Sequence, residues 1–200
     1  MFAEPMKNRK KASQIKAVTI IIRNLKVAGL RPTFHMLDNE VSTDLIEFLE
    51  TDEKIIVQLA PTGCHHKNAA ERAIITLKNP FIAGLYTAHK NFPLNKWESL
   101  LPQAFTTLNL LLTSRLNLKL SAHALLNGPC NFNAMPMAPP GSKILVHKKP
   151  ALWGTWAAHA VNAWYLGPAL HHYRCYHIYI SETRGELIAD TVVWFPLVDD

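Results

Sequence analysis

Leu37-Asp38-Asn39-Glu40 and Pro61-Thr62-Gly63-Cys64-His65-His66-Lys67-Asn68-Ala69-Ala70-Glu71-Arg72 decide how this chain is read. Asp38 closes a short β-type run, residues 33–37. Residues 54–60 (Lys-Ile-Ile-Val-Gln-Leu-Ala) form the clearest strand pattern of the front half, closed by Pro61 and Gly63. Asn68 can cap a helix over residues 69–79 that meets Pro80, which puts Glu71 in its first turn. A carboxylate at a strand end and a second at a helix start are donors of the type a divalent cation needs for phosphodiester chemistry. The same two residues have a plainer reading, Asp38 capping the next helix and Glu71 complementing a helix N-terminus. On spacing alone the plainer reading is the stronger.

Working outward, residues 12–28 predict an amphipathic helix with Ile15, Val18, Ile22 and Leu25 on one face and Gly29 at its C-terminal stop. Ser42 or Thr43 can cap a helix through about residue 49, and another is predicted over 97–112. Strand–helix–strand–helix alternation implies a sheet covered by helices. The character changes after Asn127. Prolines and glycines cluster in Gly128-Pro129, Pro136, Pro139-Pro140-Gly141 and Gly154. Short β-branched and aromatic runs follow at 143–147, 163–166, 173–180 and 188–195, the spacing of a small barrel or meander of about five strands. Residues 136–141 are taken as the boundary, giving domains 1–135 and 136–200.

The chain has 200 residues, 48% of them hydrophobic and 18% charged, the balance of a globular protein. No apolar run reaches the roughly 18 residues of a membrane helix. Residues 1–11 lack the apolar stretch of a secretory signal. Three widely spaced cysteines (Cys64, Cys130, Cys175) favour reduced thiols and an intracellular location. The net charge of +6 is unevenly spread. Residues 5–37 carry Lys7, Arg9, Lys10, Lys11, Lys16, Arg23, Lys26 and Arg31 with no acid, while Asp38 to Glu53 packs in seven carboxylates. From Ser99 to Ser181 there is again no Asp or Glu. Such segregation suits a surface for a polyanion through counterion release, or a solvated basic face without a partner.

The words around the two carboxylates add more. Glu4-Pro5-Met6-Lys7-Asn8-Arg9, Leu37-Asp38-Asn39-Glu40 and Asn68-Ala69-Ala70-Glu71-Arg72-Ala73-Ile74 occur in order, followed by Phe81-Ile82-Ala83-Gly84-Leu85 and Leu108-Asn109-Leu110-Leu111 with Ser114-Arg115. Pro139-Pro140-Gly141, Trp164-Tyr165-Leu166-Gly167-Pro168-Ala169 and His172-Tyr173-Arg174-Cys175-Tyr176 complete the series. In this order they resemble the integrase of retrotransposons, copia-type elements in particular, almost end to end. The resemblance implies an α/β ribonuclease H-like core, here truncated, followed by a small all-β SH3-like barrel. It implies joining of element ends to target DNA with Mg²⁺ or Mn²⁺, held by two aspartates and a glutamate. By position Asp38 is the second member and Glu71 the third, both catalytic metal ligands. Lys67, Arg72 and Lys78 are the implied contacts to DNA phosphates, although Lys78 is equally read as a solvated helix lysine. His65 and His66 read as loop histidines.

DNA is therefore the implied partner and the nucleus the implied location in a eukaryote, with self-association a further expectation and neither membrane nor small-molecule substrate foreseen. The departures from the family pattern are specific. Its first aspartate belongs upstream of Glu4, where this sequence has Met1, Phe2 and Ala3; Glu4, followed by Pro5, reads as a solvated acid. The zinc-binding segment with paired His and Cys is missing. With two of three carboxylates, weak cation binding and no catalysis by this chain alone are the expectations. The alternative function is a DNA-binding or self-associating module that keeps the fold without the chemistry. Pro80 is expected to shorten or kink the Glu71 helix. Ala160 and Ala163 stand where turn glycines are expected, at a cost of about 1 kcal/mol if φ is positive. Trp153, Trp156, Trp164, Tyr165, Tyr173, Tyr176 and Tyr179 suit either a barrel core or a base-stacking platform. His171, His172 and Cys175 lie in a strand pattern without zinc spacing and read as ordinary packing.

Overall fold

The computed structural model describes residues 2, 4–38, 41–60, 69–148 and 154–195, with residues 69 and 70 as backbone only. The fold is mixed α/β and separates into two compact units, Met1–Leu77 and Lys78–Asp200.

In the first unit α1 (Lys11–Val27) is followed by β1 (Phe34–Leu37), α2 (Thr43–Glu47) running into a π-helical turn (Phe48–Asp52), and β2 (Ile56–Leu59). α1 ends where the sequence predicts. Gly29 adopts φ +78°, the amide of Gly29 bonds the Lys26 carbonyl, and that of Leu30 bonds Leu25. These are the two bonds of a Schellman stop, which glycine permits at no steric cost. Ile22, Leu45, Leu49 and Ile55 are buried together, with Ile15, Val18, Leu37 and Val57 packed around them. β1 and β2 pair in parallel, Phe34 opposite Ile56 and Leu37 opposite Leu59. One face of this ladder lies on the helices. The other presents Phe34, Met36 and Ile56 to solvent, at 50%, 39% and 67% exposure.

α3 (Ala69–Tyr86) departs from expectation: it runs through Pro80 instead of ending before it. Proline removes one i→i−4 bond and crowds the preceding turn. Beyond it, Phe81 and Leu85 pack on a buried cluster of Phe92, Leu100, Trp164, Leu166 and Tyr179. Partial burial of these two large side chains, each worth less than the about 1.5–3 kcal/mol of full burial, works against the lost bond. A 3₁₀ segment (Leu94–Leu100) leads into α4 (Leu101–Leu111), and α5 (Ala122–Asn127) follows. The predicted helix over 97–112 is thus 3₁₀ over its first turn, residues 97–100, and α-helical from residue 101.

The second unit holds a five-stranded antiparallel sheet: β3 (Lys143–His147), β4 (Ala160–Pro168), β5 (Tyr176–Ile180), β6 (Gly185–Ala189) and β7 (Val192–Trp194), in the order β6-β5-β4-β3-β7. The run predicted at 188–195 is therefore two strands, broken at Asp190 and Thr191. β6 and β7 occupy opposite edges, yet only those two residues join them. Three Cα steps span about 11 Å at full stretch, whereas four interstrand spacings on a flat sheet are about 19 Å. The sheet must curl until its edges approach. β4 shows how: its first half pairs with β3 and its second half with β5, the two sharing Trp164, with a register shift between Tyr165 and Gly167. A bulge of this kind bends a strand and increases its twist.

Alternation then sorts the side chains. Ile144, Val146, Ala163, Tyr165, Ile178, Ile180 and Ala189 fill the concave side, and Trp164, Leu166 and Tyr179 face the cluster under α3's last turns. Trp164, Tyr165 and Tyr179 are core residues; Trp156 and Tyr173 are not, and Trp153 lies outside the described residues. Ala160 and Ala163 lie inside β4 and are not among the described residues of positive φ, so the expected glycine strain does not arise. Burial pushes the Tyr165 hydroxyl well above its ordinary pKa. That hydroxyl accepts a long 3.4 Å hydrogen bond from the Ala138 amide. His171 and His172 sit in the turn between β4 and β5, not in a strand, and the Cys175 thiol donates to the Tyr173 carbonyl at 3.4 Å.

Candidate metal and nucleic-acid site

A parallel pair of strands brings both carboxyl ends to one edge of the sheet, where an open α/β fold presents its ligand-binding crevice. Asp38 is the first residue past β1 at that edge and is exposed. The Ala60 amide donates to the Leu37 carbonyl at 2.7 Å, so the exit of β2 lies directly beside it. The chain then passes through residues 61–68, outside the described residues, and enters α3. Glu71 is the third residue of that helix, half-buried, in the first turn where a carboxylate complements the helix dipole. Both Asp38 and Glu71 have interaction partners of their own.

The donor chemistry suits a hard cation, because both groups are carboxylates. A two-cation centre needs more. Among the described residues no group of three or more His, Cys, Asp or Glu gathers to hold a metal. The described residues do not gather a two-metal centre, and no catalytic step is assigned through one.

Of the three cations implied to touch DNA, Arg72 and Lys78 are exposed on α3, and Lys67 lies outside the described residues with His65 and His66. The Arg72 carbonyl accepts a bond from the Thr76 hydroxyl at 2.7 Å, which ties that turn together. The basic block at 5–37 proves less available than its order along the chain suggests. α1 packs on α2, and there the Lys11 ammonium bonds Asp44 at 2.9 Å while Lys26 pairs with Glu53. The hydrogen bond from Lys11 holds the Asp44 carboxyl below its ordinary range. Blocks of opposite sign in sequence thus partly neutralise each other across a helix pair. Burial also lowers the His35 imidazole, on β1 three residues before Asp38.

Sequence reasoning missed two polar residues of the second unit. Gln103 on α4 is 6% exposed; its amide nitrogen donates to the Ala138 carbonyl at 2.7 Å, and its Oε1 has no hydrogen-bond partner among the described residues. A Cβ on Gly167 would stand 3.3 Å from the Gln103 Cβ, so glycine makes room for this contact. Glu186 on β6 gathers Lys96 at 3.1 Å, the Ser99 hydroxyl at 3.0 Å and His177 at 3.3 Å. No local signal marked Glu186, because Lys96 and Ser99 lie 90 and 87 residues away in the sequence.

No protein-family model matches the chain, and no curated protein does. Among solved structures, the chain is similar to one chain of the cryo-EM structure of the simian T-cell lymphotropic virus intasome in complex with PP2A regulatory subunit B56 gamma. The identity is 17%, the match covers 96% of this chain and 69% of that one, and the TM-score is 0.44. At that level the likeness fixes neither fold nor family.

Proposed function

We propose that this chain derives from a copia-type retrotransposon integrase, a polynucleotidyl transferase acting on DNA, and that by itself it joins no DNA. In this reading residues 1–135 belong to a ribonuclease H-like core and residues 136–200 to an SH3-like β domain. The ordered sequence words from Glu4 to Tyr176 support the ancestry. The observation that carries the site is the placement of Asp38 at the carboxyl end of a parallel strand, beside the exit of the strand that leads to Glu71. The bulged, doubly shared β4 and the strand order β6-β5-β4-β3-β7 support an SH3-like second domain. Asp38 and Glu71 would hold one Mg²⁺ or Mn²⁺ weakly, a cation whose role when bound is to polarise a phosphodiester. Lys67, Arg72 and Lys78 would contact duplex phosphates.

A second reading, a self-associating DNA-binding module without chemistry, is favoured by the open apolar face of Phe34, Met36 and Ile56, which a second copy would cover. A strand-transfer assay with Mn²⁺ and element-end DNA tests the first reading. No joined product is expected, and joining that Glu71→Gln abolishes would overturn the claim of inactivity. Duplex binding measured against salt tests the phosphate contacts. Arg72→Ala should weaken binding uniformly across sequences and reduce the slope of log K against log salt by about one; an unchanged slope removes Arg72 from the interface.

A further inference from the structure

We infer that the loop joining α4 to α5 is a docking surface for an acidic amphipathic segment of a partner protein, held by leucines and by the cations set between them. It involves neither DNA nor the Asp38–Glu71 region and so goes beyond the proposed function.

Leu111, Leu116 and Leu118 are 77%, 78% and 79% exposed, and Leu120 is 39% exposed. One leucine in water is ordinary, but several on one short loop make an apolar patch, and such patches mark interaction sites. The loop is also tied together. Ser114, 4% exposed, is its hub: its amide donates to the Leu120 carbonyl at 2.9 Å, and its hydroxyl oxygen accepts from the amides of Leu116 at 3.1 Å and Asn117 at 3.4 Å. The Leu120 amide closes a turn on the Asn117 carbonyl at 3.1 Å, with Leu118 and Lys119 at its tip. At the base, the Ala122 amide donates to the Leu112 carbonyl at 2.7 Å. A loop ordered in this way loses little freedom on binding.

Charge commits the partner. Arg115 and Lys119 are exposed among the leucines, and neither pairs with a carboxylate among the described residues. The described carboxylates of this unit lie elsewhere in space. Glu98 precedes α4, and Glu186 bonds Lys96 and Ser99 at that same N-terminal end. Glu182 follows Ser181, whose hydroxyl accepts the Trp164 indole N–H at 2.8 Å in the cluster that holds Leu100. Asp190 follows Ala189 on β6, two strands across from the point where Gln103, in the first turn of α4, meets Gly167. The leucine loop leaves the other end of α4, about 16 Å along its axis.

Nucleic acid would meet the two cations and leave the leucines in water. A second copy related by a two-fold axis would bring Arg115 and Lys119 against their own equivalents. A bilayer would take the loop tip first and draw the Lys119 charge, beside Leu118, towards hydrocarbon. A peptide that alternates Asp or Glu with large apolar side chains satisfies the leucines and the cations together.

The test is selection of a random dodecapeptide phage library on the full chain, counter-selected against the double variant Leu116→Ala with Leu118→Ala, followed by fluorescence anisotropy of the most enriched peptide. Enriched peptides should combine Asp or Glu with large apolar residues. The leucine variant should weaken binding about tenfold or more, and Arg115→Gln with Lys119→Gln should weaken it severalfold and flatten its dependence on salt. Leu118→Met should keep most of the affinity. Thermal melting of the leucine variant should match the parent chain, because these side chains stand in water. Failure to enrich any peptide over the leucine variant, or enriched peptides without Asp and Glu, would overturn the inference. So would binding to phosphatidylcholine–phosphatidylserine vesicles, or self-association in sedimentation, that the leucine variant loses.

Discussion

Gly141 closes the proline-rich segment that leads into β3, and its replacement by alanine should destabilise the second unit through two separable causes. Its backbone sits at φ +75°, where an L side chain costs about 1–2 kcal/mol. A Cβ there would stand 2.6 Å from the Ala88 Cβ and 3.4 Å from the Ala88 Cα and Phe92 Cδ2. The backbone has little room to retreat. The Gly141 amide donates to the Tyr165 carbonyl at 2.9 Å, and its own carbonyl accepts from His89 at 3.2 Å. Overpacking of a closed site adds about 1–3 kcal/mol, for a total of roughly 2–5 kcal/mol. That is a large share of the about 5–15 kcal/mol that holds a domain folded.

Gly128 supplies the control. It has φ +78° and ψ −177°, a region that is essentially glycine's own, and nothing within 4 Å of a built Cβ, so Gly128→Ala should lose only the conformational part. All five tryptophans lie at position 97 or beyond, so urea unfolding followed by tryptophan fluorescence reports on the second unit. With a slope of about 1.5 kcal/mol per molar, the midpoint should fall by roughly 1–3 M for Gly141→Ala and about 1 M for Gly128→Ala. Equal shifts in the two variants would refute the contact with Ala88.

Two further outcomes follow from the same unit. Burial would raise the Glu186 carboxyl, but hydrogen bonds from Lys96 and Ser99 and the charges of Lys96 and His177 hold it below the ordinary value. A depressed folded pKa stabilises above the unfolded value of about 4.3 and loses that stability as pH falls through the folded value. Glu186→Gln should therefore flatten the acid limb below about pH 4.5 and cost on the order of 0.5–1 kcal/mol at neutral pH, since the pair is partly solvated; an unchanged acid limb in urea melts would remove the carboxylate from the balance. Phe81→Ala should destabilise this unit by about 1–3 kcal/mol, since the ring is partly buried, and shorten α3 at Pro80, read as lost helical ellipticity; a variant that keeps full helix content would show that burial beyond Pro80 is not what carries the helix through.

Local physics was legible wherever it acted alone. The apolar period of 15, 18, 22 and 25 and the glycine at 29 placed α1, β-branched residues placed β2 and β3, and the short run ending at Asp38 placed β1. What sequence could not weigh was burial at a distance. Pro80 reads as a helix end until Phe81 and Leu85 find Trp164 and Leu166 beneath them. α5 was missed although its signals were present: the Ser121 hydroxyl caps the Ala124 amide at 3.0 Å, and Gly128 follows the last turn. The break at Asp190 was hidden in an apolar run because strand edges are set by sheet closure, which lies outside any local window. Charge was legible as blocks and illegible as surface, since Lys11 and Lys26 meet Asp44 and Glu53 only once α1 and α2 pack. For the candidate site, the strand end at Asp38 and the helix start before Glu71 were placed in advance, and the parallel pairing that sets Leu37 beside Ala60 was not.

The proposed pairing of Asp38 with Glu71 around one cation is tested most directly by cation-induced NMR line broadening. On titrating Mn²⁺ into the ¹⁵N-labelled chain, the amides of Asp38, Ala60 and Glu71 should broaden together, and Asp38→Asn should abolish the broadening at Glu71 as well as at its own position. Broadening confined to one of the two regions, or persisting at Glu71 in the Asp38→Asn variant, would contradict a shared site.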